Sequence, residues 1–107
     1  MRIPDLSHLQ FIVLGQLLAG EATGRAVRAT LRRFRVRQSG PAFYQMMARL
    51  EKAELLEGWY TQEVIEGQII KERHYRVTTA GAKAWRECRR FYEQAIEAAG
   101  GEGLAPA

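Results

Sequence analysis

Apolar side chains recur at helical spacing along residues 6–19 and form two stripes. One stripe comprises Leu6, Leu9, Val13 and Leu17, and the other comprises Phe11, Leu14 and Leu18. A helix that is apolar on nearly all sides is normally covered from more than one direction. We therefore expect this first helix to pack inside the domain and also against a second subunit.

A second helix is predicted over residues 24–33, directly after Thr23, which is a good N-cap. Val27 and Leu31 are four residues apart and therefore share the face that points toward the core. The other face is made of Arg25, Arg28, Arg32 and Arg33.

The third helix is predicted over residues 40–53, with Ser39 as its N-cap and a proline in its first turn, where proline is tolerated. Its inner face consists of Phe43, Met47 and Leu50, which recur at i, i+4 and i+7. Its outer face is narrow and consists of small or polar residues and one arginine, namely Ala42, Gln45, Met46 and Arg49.

The hydrophobic period changes from helical to alternating after Leu56. The segments GWYTQEVI and IIKERHYRVT both alternate as strands do, and the EGQ between them is a turn. Together they predict a β-hairpin over residues 58–77.

A last helix is predicted over residues 80–98, capped by Thr78 or Thr79. Its broad apolar face holds more surface than a terminal helix on a small domain covers alone, so we expect a dimer through it. The predicted dimer interface combines Phe11, Leu14 and Leu18 with Trp85, Cys88, Phe91, Tyr92, Ala95 and Ile96.

This order of elements predicts a mainly α fold with a small β-hairpin (α+β), specifically a winged helix-turn-helix with a C-terminal dimerisation helix. The chain has 107 residues, which is room for one domain. We expect the winged helix-turn-helix over residues 1–79, the dimerisation helix over 80–99 in the same compact unit, and a disordered tail over 100–107.

Positive charge is concentrated in one block of the sequence. Residues 22–50 contain seven arginines and no Asp or Glu, whereas the other residues carry nine Lys/Arg against twelve acids. A solvated helix surface normally mixes both signs, because like charges in a row repel. The block therefore predicts a docking surface for a polyanion rather than a generally basic protein.

The segments SGPAFYQMMARLEKAELLEGWY and KERHYRVTTAGAKAW resemble PadR-type transcriptional regulators. That family shows an aliphatic-Tyr pair, a leucine and Arg-Leu-Glu in the third helix, matched here by Phe43-Tyr44, Met47 and Arg49-Leu50-Glu51. Its wing ends in Tyr-x-hydrophobic-Thr-x-x-Gly, which is similar to the run from Tyr75 to Gly81. The opening LQFIVLGQLLAGEATGRAV resembles the family's first helix, so the likeness spans residues 6–97.

Two positions depart from the family pattern. Glu54 stands where the family usually has glycine, at the turn out of the third helix. If that residue adopts the left-handed conformation, the side chain costs about 1 kcal/mol. Gln45 replaces a proline that is frequent after the tyrosine, which affects how the helix sits in a DNA groove.

The outer face of the third helix carries the predicted base contacts. A helix-turn-helix inserts its second helix into the major groove, and the N-terminal half of that helix reaches the base edges. Gln can bridge an adenine edge, Arg a guanine edge, and Ala or Met can touch a thymine methyl group. The candidates are Ala42, Gln45, Met46 and Arg49, and the alternative is that they are solvated helix residues.

The predicted contacts to the DNA backbone come from the arginine block and the wing. Arginines outside the recognition helix are better placed to contact phosphates than to contact base edges. The candidates are Arg25, Arg28, Arg32, Arg33, Arg35 and Arg37, with Lys71, Arg73 and Arg76 of the wing. Ser39 is foremost an N-cap, although a helix N-terminus can also hold a phosphate. Tyr44 is either a core residue or a phosphate contact.

No residue set for catalysis, metal or cofactor binding is apparent, so we expect neither an enzyme nor a cofactor. His8 and His74 lack a neighbouring Cys/His cluster. Cys88 is the single cysteine and is expected as a buried apolar side chain, which fits a reducing cytoplasm. No uninterrupted apolar run approaches the roughly 20 residues of a membrane span.

The sequence therefore predicts a cytoplasmic, homodimeric regulator, a repressor that binds double-stranded DNA. The resemblance to PadR proteins also implies a flat aromatic effector between the terminal helices, with Trp85 as its candidate contact. Two alternatives stay open: a winged-helix module whose wing or last helix binds a protein partner, and an accessory DNA-binding factor without a regulatory ligand.

Overall fold

The computed structural model describes residues 5–100, within which four helices and three strands follow one another. The helices are α1 (His8–Leu18), α2 (Gly24–Arg33), α3 (Gly40–Lys52) and α4 (Thr79–Ala98), and the strands are β1 (Ala22–Thr23), β2 (Leu56–Ile65) and β3 (Gln68–Val77). This confirms the predicted α+β class. Except for Gly100, the predicted tail lies outside the described residues.

A hydroxyl side chain determines where each helix begins. Ser7, Thr23, Ser39 and Thr78 each accept a hydrogen bond from the backbone N–H three residues ahead, at 2.9–3.2 Å. Such caps satisfy N–H groups that have no partner within the helix. The predictions for Thr23 and Ser39 are confirmed, and of the two candidates before α4, Thr78 is the cap.

The sheet is antiparallel and has the strand order β1-β3-β2. The predicted hairpin is longer than expected, because Leu56 pairs with Val77 at its base and Ile65 with Gln68 at its tip. Glu66 and Gly67, both at positive φ, form the turn. Strand β1 was not predicted, because two residues are too few to show alternation; it pairs with β3 at Tyr75 and His74.

The core is contributed by all three N-terminal helices and the base of the sheet. Its buried residues are Val13, Leu14 and Leu17 of α1, Val27 and Leu31 of α2, Phe43, Met46, Met47 and Leu50 of α3, Leu56 of β2 and Tyr75 of β3. The assignment of Leu14 to the dimer interface was therefore wrong. Leu14 is fully buried within the protomer, because it follows Val13 and precedes Leu17 on the face of α1 that meets the core.

Helices α2 and α3 end in the same way, with a Schellman motif. After α2, the N–H of Val36 donates to the Leu31 carbonyl at 3.0 Å; after α3, the N–H of Leu55 donates to the Leu50 carbonyl at 3.0 Å. This motif places one residue in the left-handed conformation, where glycine is preferred. Here those residues are Arg35 (φ 60°) and Glu54 (φ 62°), so Glu54 indeed adopts the conformation that the family's glycine would suit.

The end of α3 and the start of α4 are tied together at one point. The Thr78 hydroxyl donates to the Glu54 carbonyl at 2.7 Å, and the Thr78 N–H donates to the Leu55 carbonyl at 3.1 Å. A Cβ on Gly81 would lie 2.1 Å from the Leu55 carbonyl oxygen, which is inside van der Waals contact. The glycine in the Tyr75–Gly81 motif is therefore required by the close approach of this backbone.

Substituting Glu54→Gly is expected to stabilise the protein by about 1 kcal/mol, because it relieves the side-chain strain at φ 62° without removing a buried contact. Urea unfolding measures this difference. Lys52→Gly, two residues earlier in regular helix, is the control and is expected to lose about 1 kcal/mol. A destabilised Glu54→Gly protein would contradict the strain argument.

Candidate nucleic-acid interface

Four arginines converge on the start of α3. Arg28 and Arg32 come from the exposed side of α2, and Arg35 and Arg37 come from the turn between α2 and α3. These side chains surround an open groove of about 740 Å³ whose other lining residues are Leu31, Val36, Gln38, Ser39 and Phe43. The Schellman motif after α2 directs this turn, so the backbone conformation brings the four arginines to one groove. We call this surface the α2–α3 groove.

The guanidiniums of the α2–α3 groove have no acidic partner in residues 5–100. Arg28 lies over the Phe43 ring at 5.9 Å, which is a cation–π contact and leaves its charge uncompensated. The first turn of α3 contains no acid, and the positive end of its helix dipole opens at Ser39. The groove is therefore a concentrated positive site.

Two of the six arginines of this block that were predicted as backbone contacts lie elsewhere. Arg25, with 79% of its side chain exposed, is 3.5 Å from a Glu72 carboxylate of the wing. Arg33 is exposed but does not line the α2–α3 groove. Of the six predicted backbone arginines, the structure thus brings four into one site.

The exposed face of α3 is somewhat different from the predicted one. Gln45 and Arg49 are exposed and Ala42 is half-buried, but Met46 is only 7% exposed and belongs to the core. Met46 as a base contact was wrong, because it follows Phe43 by three residues and precedes Leu50 by four, on the buried stripe. Sequence reasoning missed Ala48, which is exposed three residues after Gln45.

Tyr44 packs at the junction of α2 and α3 and keeps part of its surface in solvent. Its ring meets Phe43 edge-on at 4.9 Å, and 41% of the residue is exposed. A Cβ on Gly24 would lie 2.9 Å from the Tyr44 hydroxyl, so the ring lies directly on the first turn of α2. The ring of Tyr44 is therefore packed while part of its edge is accessible, and its role as a phosphate contact stays a prediction.

Arg73 is held inside the protomer rather than offered to a partner. Its guanidinium donates to the Glu51 carboxylate at 2.5 Å and lies 4.6 Å from the Tyr60 ring centroid and 5.8 Å from that of Tyr75. Burial disfavours the charged form of Arg73, but the hydrogen bond and charge of Glu51, together with Tyr75, outweigh burial and raise the pKa of Arg73. The prediction that Arg73 contacts the DNA backbone stays a prediction, and within the protomer the cation is paired with the carboxylate of Glu51.

The other two wing cations lie on opposite faces of the hairpin. Arg76 forms an ion pair with Glu57, its partner across the strands, and this bond raises the pKa of Arg76. Lys71 shares a face with Tyr60 and lies 5.7 Å from its ring centroid. Successive strand residues point to opposite faces, so Lys71 and Arg76 cannot serve one surface. Of the three wing cations, Lys71 alone has no carboxylate partner among the described residues, and its side chain is exposed.

Aromatic side chains connect α1 and α4 on the far side of the domain. Phe11 stacks on Trp85 and meets the edge of Tyr92, in both cases with ring centroids 5.4 Å apart, and the Tyr92 hydroxyl is 2.8 Å from His8 Nδ1. Phe11, Leu18, Trp85, Phe91, Tyr92, Ala95 and Ile96 remain at least partly exposed. We call these residues the α1–α4 face.

Cys88 does not belong to the α1–α4 face, and its place in the predicted dimer interface was wrong. Its side chain is only 2% exposed, which confirms the prediction of a buried apolar residue. Burial raises the pKa of its thiol. The inward side of α4 turns Cys88 toward the protomer's own core, so it cannot reach a partner.

Residues 5–100 contain neither a cluster of metal ligands nor a membrane-spanning helix. No group of three or more His, Cys, Asp or Glu side chains could hold a metal ion there. None of the helices in that range is both long and apolar enough to cross a membrane.

The titration of Tyr75 is expected to make the free energy of unfolding depend on pH. Burial raises its pKa to about 12, against about 10 in an unfolded chain, and the bond from Arg73 offsets this only in part. Because the folded state favours the protonated phenol, this contribution to stability is complete below pH 10 and is lost between pH 10 and 12. Roughly 2–3 kcal/mol of unfolding free energy should disappear over this range.

Ultraviolet titration of tyrosinate measures the effect directly. Tyr75→Phe should remove the component that titrates near 12, whereas Tyr60→Phe, at a residue 64% exposed, should leave it in place. Four tyrosines that all titrate together in the native protein would contradict the burial of Tyr75.

Comparisons with known proteins place this arrangement among transcriptional regulators. No protein-family model and no curated protein sequence matches the chain. A PadR family transcription regulator from Clostridium difficile matches with a TM-score of 0.71 and 16% identity over 89% of this chain and 100% of the other. A PadR family transcriptional regulator from Eggerthella lenta matches with a TM-score of 0.67 and 25% identity over 86% of this chain and 78% of the other.

A mutant of MarR from E. coli, in complex with operator DNA, matches with a TM-score of 0.62 and 20% identity over 87% of this chain and 60% of the other. The resemblance to PadR-type regulators that the sequence motifs indicated is thus confirmed at the level of structure. The chain has the winged helix-turn-helix fold of these transcriptional regulators.

Proposed function

We propose that this protein is a sequence-specific regulator of transcription that binds double-stranded DNA and acts as a homodimeric repressor in the cytoplasm. The observation that carries the proposal is the α2–α3 groove, where four arginines without acidic partners surround the start of α3. A phosphate backbone is the ligand that uncompensated arginines beside a helix N-terminus suit best.

In this proposal α3 lies in the major groove and reads bases with its exposed side. Gln45 and Arg49 are the exposed residues that can form paired hydrogen bonds with adenine and guanine edges. Ala42 and Ala48 supply small apolar contacts beside them. The Glu51–Arg73 ion pair supports this role, because it keeps the nearest carboxylate of α3 from facing phosphate uncompensated.

The backbone contacts are assigned to the rims of the recognition surface. The arginines of the α2–α3 groove, together with Ser39 and the accessible edge of Tyr44, take one phosphate strand. Lys71 is the remaining wing contact. Arg76 is already paired with the carboxylate of Glu57, and Arg25 lies near the carboxylate of Glu72. Phosphate contacts of this kind position the protein, and base contacts specify the sequence.

The α1–α4 face is the observation that supports a homodimer. This face remains exposed in the protomer although it carries large aromatic and aliphatic side chains, including Ile96 at 58% exposure. If a second copy related by a two-fold axis covers this face, we expect the two α3 helices to meet half-sites about one DNA turn apart, as in other helix-turn-helix dimers. The operator would then be a pseudo-palindrome.

A second candidate function is a winged-helix module that binds a protein partner. Its support is the wing tip, where the cross-strand pair Val64 and Ile69 is 72% and 68% exposed. An apolar tip is unsuited to phosphate and typical of a protein contact. Under this alternative the arginines of the α2–α3 groove would be dispensable for function.

DNA binding is expected to weaken steeply with salt, because each phosphate contact releases condensed counterions. In the double variant Arg28→Gln/Arg32→Gln, the negative slope of log K against log[salt] should become shallower by about 2, because each lost phosphate contact removes about 0.9. The measurement is fluorescence anisotropy of a labelled duplex, preferably one selected from random DNA.

Arg86→Gln/Arg90→Gln is the matched control, because these exposed arginines have the same spacing on α4 and lie outside the proposed DNA surface. Its slope should equal that of the native protein. A flat salt response, or equal losses in both double variants, would reject the proposed interface and favour the protein-binding module.

The dimer is tested by sedimentation of Ile96→Asp. An unpaired carboxylate buried in an interface costs on the order of 3 kcal/mol, so the dimer dissociation constant should rise roughly 100-fold or more. Val64→Asp makes a comparable change at the equally accessible wing tip and should leave association unchanged. A native protein that is monomeric at micromolar concentration would count against the α1–α4 face.

A further inference from the structure

Strand β2 has one edge without a partner strand. The strand order β1-β3-β2 places β2 at the border of the sheet, and no other described strand pairs with it. Bulges, prolines and lysines usually protect such an edge, because its free N–H and C=O groups can pair with another chain. The ladder between β2 and β3 runs from Leu56 to Ile65 without a bulge, and the segment LEGWYTQEVI contains neither proline nor lysine. The edge is therefore unprotected.

The turn of the hairpin determines which backbone groups of β2 point outward. Its two residues at positive φ close on a hydrogen-bonded pair, Ile65 and Gln68. Hydrogen-bonded and non-hydrogen-bonded pairs alternate along an antiparallel ladder, and the bond from the Thr78 N–H to the Leu55 carbonyl belongs to the same series. Odd-numbered residues of β2 therefore bond to β3, and even-numbered ones direct their N–H and C=O groups away from it. We call the three exposed even-numbered residues the β2 edge, namely Tyr60, Gln62 and Val64.

The two faces of the hairpin beside the β2 edge differ in chemistry. Residues opposite each other in the ladder share a face. One face is apolar, because Tyr60, Val64 and Ile69 share it and are 64%, 72% and 68% exposed. All three acids of β2 and β3 lie on the opposite face. Among them Glu63 is exposed and has no cationic partner within residues 5–100.

The outer half of the hairpin and the arginine block have opposite charges. Residues 61–72 carry three acids and one lysine, whereas residues 22–50 carry seven arginines and no acid. Negative charge along the β2 edge disfavours a polyanion and attracts a basic partner. A second copy of β2 is also disfavoured, because LEGWYTQEVI has two acids and no cation and would bring like charges together.

We propose that the β2 edge binds an extended segment of another protein in which apolar residues alternate with lysine or arginine. The segment joins the sheet as a further strand, and the outward N–H and C=O groups of the β2 edge form its ladder. Its apolar side chains lie beside Tyr60 and Val64, and its cations, on the other face, reach Glu63. This inference does not rest on DNA binding, because no residue of the α2–α3 groove takes part.

The direct test is fluorescence anisotropy of the fluorescein-labelled peptide KVKIKVK on the full chain without DNA. The peptide KKVIVKK has the same composition and charge but does not alternate, so it should bind at least about 10-fold more weakly. The acidic peptide EVEIEVE should also bind weakly, because its carboxylates meet Glu63. If the three peptides bind alike, the proposal is overturned.

A pair of substitutions at Gln62 separates backbone pairing from side-chain contact. Gln62→Pro removes an outward N–H but no bond to β3, so the hairpin should be retained while the dissociation constant for KVKIKVK rises about 10-fold or more. Gln62→Ala keeps the N–H and should bind as the native protein does. Equal affinities of these two variants would overturn strand addition.

Charge reversal at Glu63 tests the partner without relying on proline. Glu63→Lys should weaken the binding of KVKIKVK and strengthen that of EVEIEVE. The matched control Arg28→Gln/Arg32→Gln should bind KVKIKVK as the native protein does. A failure of DNA binding therefore leaves this result in place, whereas a peptide preference that Glu63→Lys does not change would overturn the proposed chemistry.

Hydrogen exchange of the backbone amides locates the added strand. On binding of KVKIKVK, exchange should slow at the β2 edge but not at Thr61 and Glu63, whose N–H groups already bond to β3. Absent or non-alternating protection would overturn the proposal. It would also be overturned if Gln62→Pro changed the sedimentation of the protein without peptide, because a second copy would then occupy the edge.

Discussion

The burial of four side chains of α3 is the constraint on which the rest of this structure depends. Phe43, Met46, Met47 and Leu50 occupy a wide stripe of the helix and enter the shared core. A helix anchored on this much of its circumference has one allowed rotation and a narrow outer face. The middle of α3 can therefore present little to a ligand beyond Gln45, Arg49, their small neighbours and the exposed edge of Tyr44.

The same anchoring organises the charges around α3. Phe43 is at once a core residue, the ring beneath Arg28 and one of the residues behind the α2–α3 groove. The cations near the sheet differ from those of the α2–α3 groove, because Arg73 and Arg76 are each paired with a carboxylate. Uncompensated charge is thereby concentrated at one end of α3, which is the electrostatic condition for binding an anion in a defined place.

A strained backbone conformation occurs at Glu54, where the end of α3 meets the start of α4. Glu54 adopts a left-handed conformation that favours glycine, yet its carbonyl is held by the Thr78 hydroxyl and the adjacent Leu55 carbonyl approaches Gly81. These contacts tie α3 to the start of α4 and so set the position of α3 relative to the α1–α4 face. A strained residue persists when its surroundings leave no alternative, and Glu54 is such a case.

Local signals in the sequence determined the helices, their caps and the hairpin, because periodicity and hydroxyl caps act within a few residues. They also determined the arginine block and the inner residues Phe43, Met47 and Leu50. Only the tertiary structure decided that Met46 and Leu14 are buried, since the width of a buried stripe depends on how closely neighbouring elements pack. It likewise decided that Arg73 is paired with Glu51, 22 positions away, and that four arginines share one groove. Such pairings depend on distances between elements, and no local pattern encodes them.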